Sequence, residues 1–232
     1  MMTNSPQKTA RVAAIVFLIV FILGMSTELF IRPGMVVPGD PAATVRNIAA
    51  SEGLFRLSLV SDLVRLMLLM LLPLILYRLL KPVNPTIASL MVIFSLVGVS
   101  ISMLNELNHF AALLLSTHAE YLTVFGTDQL QALVLFFMDM RKYGTFISQL
   151  FALWVLFLGY LVFASGFLPR FLGIWLMLGG VCYTVLASWF FISPNLDLTV
   201  VGLFSIIGEM IFYLWLLIKG VNLKAWEKRS LL

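Results

Sequence analysis

Charged residues and cysteine are both scarce in this sequence. Asp, Glu, Lys and Arg make up only 11% of the 232 residues, whereas 61% are hydrophobic. A soluble globular chain carries about 25% charged residues, so the composition excludes an ordinary soluble protein and a disordered one. The single cysteine, Cys182, excludes an intramolecular disulfide and a thiolate metal cluster, and two histidines exclude a three-histidine zinc site. The net charge of +4 indicates no nucleic-acid partner.

Long apolar runs are what the sequence has in place of charge. Six of them are long enough to cross a bilayer as helices, since about 20 apolar residues match the hydrocarbon thickness. The predicted spans cover residues of about 12–30, 57–80, 87–115, 146–163, 171–192 and 198–218. The sequence therefore predicts an all-α integral membrane protein, a bundle of six transmembrane helices that forms a single domain over residues 1–232.

Two of the connections between spans are long and carry helix signals of their own. In the first, Asp40 is a candidate N-cap followed by a proline at the first helical position, which predicts a helix over about 41–52. In the second, Thr127 precedes apolar positions at helical spacing, and Arg141 suits the C-terminal end of a helix dipole. This pattern predicts a second helix over about 128–142. We expect both to be amphipathic or interfacial helices on the outer side of the membrane.

The distribution of Lys and Arg predicts the orientation, because cytoplasmic loops carry an excess of these residues. With six spans the two termini share a side. That side has Lys8, Arg11, Arg78, Lys81, Arg170, Lys219, Lys224, Lys228 and Arg229, and the other has Arg32, Arg46, Arg56, Arg141 and Lys142. The excess on the terminal side predicts that both termini are cytoplasmic.

Ionisable residues inside the spans are the strongest candidates for function. A charge at bilayer depth costs about 2.5 to 3.5 kcal/mol on insertion scales, so such residues face the bundle and find partners. The sequence contains six: Glu28, Asp62, Arg65, Glu106, His109 and Glu209. Asp62 and Arg65, three residues apart on one helix, are placed to form an ion pair, whereas Glu209 has no cation nearby in sequence and needs a remote partner or a ligand.

Polar and small residues recur at helical spacing in two of the spans that carry these charges. In span three the stripe includes Asn105, Glu106 and His109, and in span six it includes Ser205 and Glu209. We hypothesise that spans one, two, three and six enclose a polar pocket open to the outside. The candidate pocket residues are Glu28, Asp62, Arg65, Asn105, Glu106, His109, Ser205 and Glu209.

A metal site is a weaker interpretation of the same residues. Glu106 and His109 form one E-x-x-H step, which carboxylate-bridged metal sites in helical bundles use twice together with two further Glu residues. Here the step occurs once, so these two residues are metal candidates without a complete ligand set. Structural hydrogen bonding of His109 and ion pairing of Asp62 remain the alternative.

Four stretches of the chain resemble a bacterial family of small multi-pass membrane proteins, the domain of unknown function 4386. They are VPGDPAATVRNIAASEGLFRL (37–57), FGTDQLQALVLFFMDMRKYG (125–144), SGFLPRFLGIWLMLGG (165–180) and LWLLIKGVN (214–222), in this order. The resemblance implies a helical integral membrane protein of bacterial type, and hence the bacterial cytoplasmic (inner) membrane. It implies no activity, cofactor or catalytic residue.

Three functions from different classes fit the sequence. The first is binding or transport of a small molecule, ion or lipid through the outward pocket. The second is an intramembrane enzyme that uses a metal or acid–base chemistry on a lipid-like substrate. The third is a non-catalytic assembly or regulatory module of the membrane. No H-E-x-x-H, G-x-S-x-G or phosphate-loop motif is present, so the balance is against an enzyme and no cofactor is predicted.

Overall fold

The computed structural model of the chain describes residues 5–37, 39–117, 122–193 and 199–231. Within these ranges all regular structure is helical. The α-helices are α1 (Pro6–Ser26), α2 (Pro41–Ala50), α3 (Glu52–Leu80), α4 (Pro85–Ser116), α5 (Thr127–Gln149), α6 (Leu153–Ser165), α7 (Arg170–Ile192), α8 (Thr199–Ile218) and α9 (Leu223–Ser230). Six helical stretches are long and apolar enough to cross a membrane. The predicted fold class, an all-α membrane bundle, is confirmed.

The first and fourth predicted spans differ from the structure in how they begin or end. After Ser26 the chain leaves α1 through a π-helical turn, Thr27–Ile31, and a 3-10 turn, Arg32–Gly34. At the fourth span, α5 runs without a break to Gln149 and continues through the 3-10 turn Leu150–Ala152 into α6. The predicted gap between residues 142 and 146 is therefore absent. No proline interrupts this stretch, so every backbone N–H is available to continue the helix.

The chain divides into two compact units. The first unit consists of Met1–Leu18, Leu68–Ser100 and Phe146–Leu232, and the second of Ile19–Met67 and Ile101–Thr145. Helices α1, α3, α4 and α5 contribute residues to both units. The single domain that the sequence predicts stays a prediction.

In the first unit, glycines allow α6 and α7 to pack backbone against backbone. A Cβ atom added at Gly173 would lie 2.5 Å from the backbone nitrogen of Phe163 and 2.7 Å from the carbonyl oxygen of Gly159. Gly180 faces the backbone of Leu156 in the same way. Close approach through small residues is how helices associate where lipid removes the hydrophobic driving force.

The C-terminal helix α9 closes one end of the first unit. Asn222 caps it, because its side-chain oxygen accepts a hydrogen bond from Ala225 N at 3.2 Å. Trp226 Nε1 donates to the Leu79 carbonyl at 2.9 Å, and an Arg229 guanidinium nitrogen lies 3.4 Å from the Val83 carbonyl. The last carbonyls of a helix have no intrahelical donor, so Trp226 satisfies a group that α3 leaves open.

We expect Trp226→Phe to lower the free energy of unfolding by about 1 kcal/mol, because it removes one hydrogen bond and keeps most of the ring. The measurement is thermal unfolding of the purified full chain in detergent. Trp189→Phe is the control, since Trp189 is exposed at 42% in α7. Equal losses in the two variants would contradict a specific role for the Trp226 hydrogen bond.

In the second unit, α2 packs on the ends of α3, α4 and α5. Asp40 caps α2 as the sequence predicts: its Oδ1 atom accepts from Ala43 N at 2.8 Å. Residues of α2, of the three other helices, of the connection before α2 and of the connection between α4 and α5 form one apolar cluster: Met35, Val45, Ile48, Phe55, Leu59, Ala112, Leu113, Leu115, Leu122, Leu130 and Val134. The buried face of α2 therefore anchors it to protein. Directly beside this core, the second unit buries its charges.

Candidate functional site

Asp62 lies at the centre of a buried group of charges in the second unit. The Asp62 side chain is 2% exposed. Its Oδ2 atom accepts a hydrogen bond from Arg32 Nη2 at 2.6 Å and lies 3.5 Å from Arg141 Nη2. Its Oδ1 atom accepts from Arg65 Nε at 3.1 Å. One carboxylate thus faces three guanidinium groups.

Glu106 extends the same group of charges along α4. Its Oε1 atom lies 3.4 Å from Arg141 Nη2, so Arg141 reaches both carboxylates. Its Oε2 atom lies 3.2 Å from His109 Nδ1. The His109 ring is 1% exposed and meets Phe55 edge to face, with the ring centroids 4.4 Å apart. We call the set Arg32, Asp62, Arg65, Glu106, His109 and Arg141 the charge cluster.

Four segments of the chain bring the cluster together. Asp62 and Arg65 are three residues apart on α3, which places them on one face of that helix. Glu106 and His109 have the same spacing on α4. Arg32 comes from the 3-10 turn that follows the π turn, and there it also pairs with Glu28. Arg141 comes from the middle of α5. Single-turn π segments inside helices are frequent at functional sites, and this one precedes a cluster residue directly.

Asn105 holds α5 against α4 next to the cluster. Its Nδ2 atom donates to the backbone carbonyl of Arg141 at 2.8 Å, and its Oδ1 atom accepts from Asn108 at 3.0 Å. A Cβ atom at Gly144 would collide with the Asn105 side chain, so glycine is required there for the two helices to approach. Asn105 therefore positions Arg141 through its backbone.

The cluster largely buries two of its arginines. Its three guanidinium groups face the carboxylates of Asp62 and Glu106, and Arg32 also pairs with Glu28, whose side chain is 58% exposed. The side chains of Arg32 and Arg141 are only 14% and 13% exposed. Buried charges are costly unless they are paired and hydrogen-bonded, so each N–H donor of these two arginines needs an acceptor.

Three nitrogen atoms of the cluster are buried without a hydrogen-bond partner in the described part of the chain: Arg32 Nε, Arg141 Nε and His109 Nε2. The two arginine atoms carry N–H groups that can only donate. Because a carboxylate only accepts, His109 Nδ1 carries the proton that faces Glu106. In the neutral form of the ring Nε2 then has a free lone pair, and in the protonated form it is a third unpaired donor. Buried polar atoms are rarely left unpaired, so these three point to a bound group.

A metal ion is the other group that this geometry could hold. Ligand atoms of Asp62, Glu106 and His109 all lie within 4.8 Å of one another, and Glu106 orients the imidazole as a carboxylate does beside a metal. Both carboxylates, however, already accept from guanidinium groups. A divalent cation would bring further positive charge next to three arginines.

The predicted pocket residues are divided between the two units. Glu28, Asp62, Arg65, Asn105, Glu106 and His109 belong to the second unit, and all of them lie in or next to the charge cluster. Ser205 and Glu209 belong to the first unit. Ser205 Oγ donates to the Gly179 carbonyl at 3.1 Å and thereby joins α8 to α7. The pocket formed by spans one, two, three and six stays a prediction.

Sequence reasoning missed Arg32 and Arg141, which it assigned to outer loops. A count of the charges within the predicted spans indicates that such cations are needed. The predicted spans hold four carboxylates, those of Glu28, Asp62, Glu106 and Glu209, against two cations, Arg65 and Arg78, and Arg78 is in the last turn of its helix. The cations that balance them had to come from the ends of the spans or from the helical connections, and Arg32 and Arg141 do.

The six apolar helical stretches and the buried charges define a helical multi-pass membrane protein. The chain belongs to the family described as Domain of unknown function (DUF4386), whose model matches residues 12–220. This confirms the resemblance seen in the sequence. No curated protein and no solved structure matches the chain significantly.

Proposed function

We propose that this protein binds a small anionic ligand at the charge cluster of its second unit. The observation that carries the proposal is that two largely buried guanidinium groups, those of Arg32 and Arg141, each have an Nε–H donor without a partner among the described residues. Guanidinium groups recognise carboxylates and phosphates because their planar N–H donors match the oxygen pairs of these anions. An anion would supply the missing acceptors.

The state of His109 narrows the chemistry of the ligand. In the neutral ring Nε2 is an acceptor, so the bound molecule should present a hydroxyl donor in addition to its anionic group. A hydroxycarboxylate or a hydrogen phosphate has both. Binding of such a molecule belongs to the first of the three functions that fit the sequence, the binding or transport of a small molecule or ion.

The location of the site is part of the proposal. We propose that the protein lies in the inner membrane of a bacterium, that both termini are cytoplasmic and that the charge cluster is on the outer side. Two of the five cations on the opposite side, Arg32 and Arg141, pair with buried carboxylates. When Arg32 and Arg141 are left out of the count, three Lys and Arg residues remain on the opposite side and nine on the terminal side. This difference supports the orientation.

The proposal is tested by thermal unfolding of the full chain in detergent with sodium phosphate, sodium malate or zinc chloride, each against sodium chloride at equal ionic strength. A ligand at 100 times its Kd stabilises the folded state by about 2.7 kcal/mol. We expect an increase in Tm with phosphate or malate that Arg141→Lys reduces, since lysine keeps the charge and lacks the Nε donor.

Arg56→Lys is the matched control, because Arg56 forms an exposed pair with Glu52 on α3. It should respond to anions as the wild type does. An anion effect that is absent in the wild type, or that persists unchanged in Arg141→Lys, contradicts the proposal. Stabilisation by zinc alone, lost in His109→Gln, would instead establish the metal interpretation. If no additive shifts the Tm, the assembly module becomes the better account.

A further inference from the structure

Glu209 is a buried acid of the first unit that the charge cluster does not explain. It lies in α8 and is 9% exposed. Within the ranges that the structure describes, no Lys, Arg or His nitrogen forms a salt bridge with Glu209. By contrast, Asp62 and Glu106 form five pairs with basic residues. A charged carboxylate at such a position requires a counter-charge from elsewhere.

The groups around Glu209 supply oxygen atoms. The side chain of Tyr183, from α7, is hydrogen-bonded to Glu209. Tyr213 lies one turn after Glu209 on the same face of α8, is 0% exposed and interacts electrostatically with the carboxyl group. In the described part of the chain its hydroxyl has no hydrogen-bond partner. The buried carboxyl group thus has the half-buried Tyr183 and the buried Tyr213 as neighbours, and the hydroxyl of Tyr213 is unused.

Packing around Tyr213 keeps that hydroxyl in place. The Tyr213 ring stacks on Phe17 with the centroids 3.9 Å apart and meets Phe212 at 4.9 Å. Gly208 lets α8 approach α7, since a Cβ atom there would collide with the Trp175 ring. The two helices are therefore closely packed next to Glu209.

We propose that Glu209, together with the hydroxyls of Tyr183 and Tyr213, binds a monovalent inorganic cation of the sodium type. One carboxylate balances one positive charge, which favours a monovalent ion over a divalent one. Hard cations prefer oxygen ligands, and the side chains gathered here offer neither imidazole nor thiolate to a transition metal. This site is in the first unit and does not depend on the proposed function of the charge cluster.

The experiment measures the Tm of the full chain in detergent in sodium chloride and in choline chloride at equal ionic strength. We expect sodium to raise the Tm of the wild type by several degrees, because an ion that binds only the folded state stabilises it. Glu209→Gln should abolish the difference between the two salts. Tyr213→Phe should increase the apparent Kd for sodium several-fold. Tyr160→Phe, at an exposed position of α6, is the control and should retain the wild-type response.

A second measurement guards against a Glu209 variant that does not fold. Sodium-23 NMR line broadening on the wild-type protein, with Tyr213→Phe as comparison, reports ion binding without altering the carboxylate. Equal Tm values in sodium and choline chloride for the wild type overturn the proposal, as does a sodium effect that survives in Glu209→Gln. A Tm that changes with pH but not with sodium would mean that a proton neutralises the carboxyl group. That result also overturns the proposal.

Discussion

Replacing Asp62 by Asn is expected to destabilise the protein more than any other single change of charge. The substitution keeps the size of the side chain and removes the anion that faces Arg32, Arg65 and Arg141. Removing one partner of a buried ion pair costs about 3 to 5 kcal/mol, because the other partner is left buried without compensation. Here three cations lose their shared partner, so we expect a loss at the upper end of that range, measured by chemical unfolding in detergent.

Glu52→Gln is the matched control for this prediction, since it makes the same acid-to-amide change at an exposed position of α3. Glu52 lies 2.7 Å from Arg56, and both side chains are well exposed. Exposed ion pairs contribute about 0 to 1 kcal/mol, so the control should remain near the wild type. If Asp62→Asn yields too little folded protein, the double variant with Arg32→Gln restores the charge balance and should recover part of the stability. An Asp62→Asn protein as stable as the Glu52→Gln protein would contradict the role of Asp62 as the shared partner of the three arginines.

Gly173→Val is expected to have the second largest effect. A Cβ atom at this position meets the backbone of Phe163 and Gly159, which cannot move aside as a flexible side chain can. Overpacking usually costs 1 to 3 kcal/mol, and contact with backbone on both sides places this variant at about 3 kcal/mol. Helices α6 and α7 would have to separate, so the Tm should fall and small-residue packing should be lost.

Gly202→Ala in α8 separates this steric effect from the general effect of replacing a helical glycine. The nearest atom to a Cβ at Gly202 is Leu186 Cδ1 at 3.8 Å, which is an ordinary contact. Alanine has a higher helix propensity than glycine, so this variant should be neutral or more stable by up to about 1 kcal/mol. A Gly173→Val protein that unfolds at the wild-type temperature would contradict the close packing of α6 against α7.

Much of the candidate site could be predicted from the sequence, because the cost of exposing a charge to lipid applies to each residue separately. Asp62, Glu106 and His109 stand out in apolar runs, and the structure buries all three. The three-residue steps on α3 and α4 also predict their local pairs, Asp62 with Arg65 and Glu106 with His109. Both pairs depend only on helix geometry.

Contacts between helices could not be predicted in this way. Gly144 lies in the gap that the sequence predicts between residues 142 and 146, yet α5 continues through it and passes the side chain of Asn105 there. The sequence predicts Arg141 at the end of a surface helix. In the structure α5 continues past Arg141, whose side chain contacts Asp62 and Glu106. In each case the partner is more than 30 residues away along the chain, and nothing local specifies it.

The sequence by itself therefore determined the membrane class, the six apolar helices, the Asp40 cap and the residues that must avoid lipid. These follow from hydrophobicity, helical period and capping, which are properties of short segments. Only the tertiary structure decided that three guanidinium groups share one carboxylate and that Tyr183 of α7 lies beside Glu209 of α8. Those arrangements depend on which helix faces pack together, and packing is set by the whole chain rather than by any one segment.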